Sequence, residues 1–206
     1  MSAVMVVMAS LRRAFVGGSR GNEHLTAVVG ALLLLLLFVE GATLLNVRSL
    51  LTVHALIGLL LIPVVALKLA STGWRMLRYY LGAAEYVERG PPHVVLRTVV
   101  APLVILSTVV LFATGVALLA LGETEGAIVG LHKASFIVWV GATSVHVLAH
   151  IWRLPALLRL RVPGRSIRLA LVTGSVVTGL ALATVAFPTA DHLQDRISGQ
   201  LGLDVH

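Results

Sequence analysis

The sequence predicts an all-α integral membrane protein, a helical bundle with five transmembrane helices. Mean hydropathy is +0.97. Hydrophobic residues make up 58% of the 206 positions and charged ones only 12%. Runs such as Ala31 to Val39 leave no polar face for water, and a soluble domain of this length has no use for so much apolar surface. Stretches of about 20 apolar residues, enough to cross a bilayer, recur five times: His24 to Leu45, Leu51 to Ala70, Thr98 to Leu121, Ala127 to Ile151 and Ile167 to Phe187.

The first span follows an N-terminal arm, residues 1–23. Its apolar residues Val4 to Met8 precede Arg12 and Arg13, the reverse of a signal peptide, so the twin arginines read as topological anchors. The second span contains Pro63 and leads into the longest connection, Ser71 to Arg97. There Trp74, Tyr79, Tyr80 and Tyr86 mix with arginines before Gly90-Pro91-Pro92 breaks any helix. That composition suits an amphipathic loop in the headgroup layer, with a docking surface or a quinone-site lid as the alternatives. The third span opens near Pro102, the fourth carries His132, His146 and His150, and Pro155 marks the next boundary. The fifth span falls outside this four-helix core and is expected to cap the bundle or dock a partner.

Formal charge is +7, and its distribution decides what it means. Arg12, Arg13 and Arg20 precede the first span. Lys68, Arg75, Arg78, Arg89 and Arg97 surround the second connection, and Arg153, Arg159, Arg161, Arg165 and Arg168 fill the fourth. The other loops carry Arg48, Glu123 and Glu125, and the tail has Asp191, Asp195 and Asp204. Positive charge in alternate loops predicts a cytoplasmic N-terminus and an extracytoplasmic C-terminus in a cell membrane, with lipid rather than nucleic acid as the partner of the basic surface.

Histidines inside apolar spans are costly and usually functional. His132 and His146 are fourteen residues apart, which on a helix returns to within ~40° of the same face after a climb of ~21 Å. One helix can in this way present ligands to two stacked haems. There are no cysteines, which excludes covalent c-type attachment and leaves noncovalent haem b held by paired imidazoles. His54 sits about one turn inside the second span, at the depth of His132 on a codirectional span, so the two can face each other across an outer haem. For His146 the depth-matched partners are His24, Lys68 and His150. His150 lies on the same helix and cannot be the opposite ligand, and His24 is the natural choice. Lys68 lies fourteen residues from His54, repeating the interval, and reads as a snorkelling cation, an iron ligand, or a haem-propionate or quinone contact. His93, His192 and His206 read as solvated. Gly58 and Ser135, each a turn from a histidine, leave room for a porphyrin or for close helix packing. Glu40 reads as an interfacial carboxylate.

His24 on span one, His54 on span two, and His132 with His146 on span four resemble the di-haem cytochrome b subunits of membrane-bound formate dehydrogenases and nickel-iron hydrogenases, in the prokaryotic cytochrome b561-like superfamily. The resemblance covers about residues 22 to 152. It implies axial pairs His54 with His132 and His24 with His146, and a chain divided into a cytoplasmic arm (1–23), a four-helix haem-binding core (24–152) and a basic loop, fifth helix and short extracytoplasmic tail (153–206). Two haems are expected, with one as the reduced case.

Iron with two imidazoles has no open position, so its work is electron transfer. The expected path joins an extracytoplasmic oxidoreductase subunit or redox protein, met near Glu123 and Glu125, to quinone near the cytoplasmic face. His150, Lys68, Arg75 and Arg153 would surround the inner haem or quinone, supplying protons and positive charge. The competing readings are a cofactor-free small transporter or assembly subunit, against which stands the lack of an inverted repeat, and a single-haem membrane anchor using His54 and His132.

Overall fold

The computed structural model describes residues 17–88 and 94–200. Arg12, Arg13, Val4 to Met8, Arg89, Gly90-Pro91-Pro92, His93, Asp204 and His206 lie outside the described residues. Those described are helical almost throughout, with no strand. The chain forms α1 (Gly18–Thr43), α2 (Leu51–Tyr80), the short α3 (Ala84–Val87), α4 (Ala101–Leu121), α5 (Ala127–His150), the short α6 (Leu154–Leu158) and α7 (Arg165–Gln200). Turns of tighter or wider helix at Leu44–Asn46, Leu96–Val100 and Ile151–Arg153 extend α1, α4 and α5. Five of these helical stretches are long and apolar enough to cross a membrane: Gly18–Asn46, Leu51–Tyr80, Leu96–Leu121, Ala127–Leu158 and Arg165–Gly199.

Two helices run well past the limits that hydropathy sets. α2 continues through Ser71 to Tyr80, because no glycine pair or proline interrupts it and Ser71 is buried against α1. α7 passes through Pro188 and carries Asp191 and Asp195 within the helix. Membrane helices tolerate such a proline when neighbouring groups accommodate the freed backbone.

Contacts between side chains fix the packing. Asn22 Nδ2 donates to the Ser71 carbonyl at 2.9 Å and Thr26 Oγ1 to Ser71 Oγ at 3.0 Å, so α1 and α2 are antiparallel. α7 is antiparallel to α2 as well, from Leu60 against Gly179 to Thr52 against Ala190. A Cβ on Gly179 would sit 2.5 Å from the Leu60 carbonyl oxygen, so only glycine permits this crossing. α4 and α5 form a second antiparallel pair, joined by Trp139 Nε1 donating to Thr108 Oγ1 at 3.0 Å. α2 is thus the spine of a trio with α1 and α7, and α4 links the α4–α5 pair to it.

The core is small: Leu25, Val29, Leu33, Leu61 and Val64, with Phe112, Val172 and Val176 packed around it. Large apolar side chains instead cover the outside, among them Phe38 at 77% exposure and Val185 at 81%. In water that surface would aggregate; in a bilayer it is the solvated face.

Candidate functional site

His54 lies one turn into α2, and the turn that precedes it folds the end of α1 back over it. Its Nδ1 is 2.9 Å from Glu40 Oε1 and 3.0 Å from Thr43 Oγ1. Thr43 donates its own hydrogen to the Glu40 carbonyl at 2.6 Å, so its oxygen is free to accept. The ring therefore donates from Nδ1, which turns Nε2 away from α1.

His132, about one turn into α5, is held in the same sense from α4. Its Nδ1 is 3.1 Å from the Leu111 carbonyl and 3.0 Å from Thr114 Oγ1. A carbonyl can only accept, which assigns the hydrogen to Nδ1 and leaves Nε2 with a lone pair. Gly115 makes the room: a Cβ there would stand 3.2 Å from His132 Cε1. His54 and His132 are close enough for a charge on one ring to act on the other.

At the opposite end of the bundle, His146 and His150 stack with ring centroids 4.7 Å apart. His150 Nδ1 donates to the His146 carbonyl at 2.8 Å. The other charge acting on His146 is that of Lys68. The pairs His54 with His132 and Lys68 with His146 have the same offset in numbering, so α2 and α5 run codirectionally in register. Lys68 Nζ itself donates to the Thr26 carbonyl at 2.7 Å and lies over Gly30. It belongs to a polar seam of Asn22, Thr26, Lys68 and Ser71 that ties α1 to α2.

His24 is on another face of α1. It faces Leu158, Arg165 and Arg168 across a shared cavity. Its Nδ1 is buried with no hydrogen-bond partner among the described residues. His54 and His132 thus lie at one end of the α2 and α5 helices and Lys68 and His146 at the other, each pair within electrostatic reach, while His24 meets the connection between α5 and α7. Arg75 is half-buried and Arg153 exposed at this same end. Glu40, Thr43, Thr114, Gly115 and the polar seam are site residues that histidine spacing does not reveal. Glu40 was legible in one respect, since it lies as far from the end of α1 as His54 lies from the start of α2.

Among the described residues, no group of three or more His, Cys, Asp and Glu side chains could hold a metal ion. The arrangement at the His54 end is a two-donor one. Two imidazoles, each braced through Nδ1, suit an ion whose remaining ligands come from elsewhere, as the ring nitrogens of a porphyrin supply them.

Fold and site together define a multi-pass helical membrane protein with a pair of oriented imidazoles near one end. No protein family, curated protein or solved structure matches this chain.

Proposed function

We propose that the chain is a membrane b-type cytochrome, the electron-transfer subunit of an oxidoreductase complex, whose best-supported haem site is His54 with His132. The observation that carries this reading is the bracing of both rings through Nδ1. Metal-bound histidines are commonly oriented in this way, by a carboxylate or a backbone carbonyl on the far nitrogen, and here Glu40 serves one ring and the Leu111 carbonyl the other. The haem would supply one-electron chemistry. The chain's part is to hold two imidazoles, exclude water with apolar helices and set local charge through Glu40.

In the full form of the proposal a second haem, held by His24 and His146, completes a path from an extracytoplasmic redox partner to quinone at the cytoplasmic face. His150, Lys68, Arg75 and Arg153 then provide the cationic surroundings. A one-haem form has its own support: the neighbours of His146 are His150 and Lys68, and those of His24 are Leu158, Arg165 and Arg168. The proposed orientation, with the N-terminus cytoplasmic, rests on the arginines around α6 and at the start of α7.

The deciding experiment is a pyridine haemochrome assay on detergent-purified protein expressed with ample haem. Two haems per chain support the full form, and one haem that survives His24→Ala supports the shorter form. No haem removes the cytochrome reading and leaves a cofactor-free transporter or assembly subunit.

A further inference from the structure

A cavity of about 720 Å³ opens between the start of α1, the segment after α6 and the start of α7. Arg159, Arg161, Arg165, Arg168 and His24 line it, with no Asp or Glu among its lining residues. The first three arginines are exposed, whereas Arg168 is 5% exposed. Arg168 donates Nη1 to the Pro163 carbonyl at 2.6 Å and Nη2 to the Val162 carbonyl at 2.8 Å. It therefore pins the backbone of the loop that carries Arg159 and Arg161, and the basic mouth is built rather than incidental.

The other wall is apolar. Val28 on α1 and Leu169 and Val172 on α7 continue the cavity along the spanning helices. Val172 is about two turns into α7, or ~10 Å along its axis. The charged part thus lies at the level of the helix ends and the apolar part runs toward the bilayer centre. A small hydrophilic anion would use the mouth alone; an anionic amphiphile would use both halves. His24 lines the same cavity beside the arginines.

We propose that this cavity binds an anionic phospholipid, its phosphate between His24 and the arginines and an acyl chain along Val28, Leu169 and Val172. Basic pockets between spanning helices on the positive side of a membrane suit such headgroups. The site gives His24 an occupation other than iron, and it stands on the arginines whether or not the chain carries haem.

The test is native mass spectrometry of the delipidated full chain in detergent, titrated with dioleoyl phosphatidylglycerol, dioleoyl phosphatidylcholine or inorganic phosphate. One phosphatidylglycerol should bind with at least about tenfold preference over phosphatidylcholine, since each arginine near the surface contributes roughly fivefold. The triple variant Arg159→Gln, Arg161→Gln, Arg165→Gln should lose that preference. Leu169→Trp, at an exposed position that lines the apolar part and keeps every charge, should weaken the lipid by a similar factor and leave inorganic phosphate unaffected. It also decides the matter should the triple variant misfold. Equal binding of the two lipids, or lipid binding indifferent to both variants, overturns the proposal. Inorganic phosphate that displaces the lipid, with no effect of Leu169→Trp, reassigns the mouth to a free anion and also overturns it. Haem content is read separately, so failure here and failure of the cytochrome reading are distinguishable.

Discussion

The two ends of the α2–α5 face start from one device, a nitrogen-bearing side chain on each helix at matched depth, and reach different arrangements. At the His54 end each ring is braced by a neighbouring helix: His54 by Glu40 and Thr43 of α1, His132 by Leu111 and Thr114 of α4. At the other end Lys68 is engaged by the α1 backbone, and His146 and His150 stack on their own helix. Equal spacing gives equal depth, but only neighbours on other helices fix which nitrogen a ring presents. The His54 end is built to orient imidazoles. The His146 end gathers cationic side chains around a helix seam.

Substitutions can break or sharpen that contrast. The largest expected effect is from His132→Ala or His54→Ala, each of which should remove one haem per chain in the haemochrome assay; unchanged haem content in both would end the assignment. Next comes Glu40→Gln, which keeps the shape but removes the carboxylate charge behind His54. Loss of such a supporting group typically weakens metal binding by about 10–100-fold, measurable as faster haem transfer to apomyoglobin, and an unaltered rate would mean that Glu40 only fills space. Lys68→Met at the opposite end should leave that rate alone and lower thermal stability by about 1 kcal/mol, the net worth of one hydrogen bond. Faster haem loss in this variant would show the two ends to be coupled. The smallest effect is expected of Gly115→Ala. Its methyl must displace the His132 ring by a few tenths of an ångström, about the tolerance within which a designed site must be held, shifting the low-temperature haem spectrum without loss of fold. Gly130→Ala, with open space at the Cβ, is the matched control and should leave the spectrum unchanged.

The five spans were legible because bilayer thickness imposes a length on apolar runs. Their ends were not. Hydropathy stops α2 near Ala70, whereas hydrogen bonds from Asn22 and Thr26 to Ser71 continue the helix contact beyond it. The depth of His54, His132 and His146 followed from 1.5 Å of rise per residue, and the structure keeps α2 and α5 in that register. The azimuth of His24 did not follow, because it depends on how α1 rotates to place Asn22, Thr26 and Leu25 against its neighbours. Glu40 was seen as a charge at a membrane boundary, and its bond to His54 depends on the tight connection at 44–50. The fifth helix, expected to cap the bundle or dock a partner, packs along α2 through Gly179.

That last helix also determines when the His54 turn can be finished. Gln194 Oε1 accepts from the Leu51 backbone N–H at 2.8 Å, and Gln194 Nε2 donates to the Arg48 carbonyl at 2.6 Å. The first turn of α2 therefore receives its hydrogen-bond acceptor from a residue translated 143 positions later. The turn bearing His54 is complete only with α7 in place. A change in α7 near Gln194 therefore reaches the turn that carries His54.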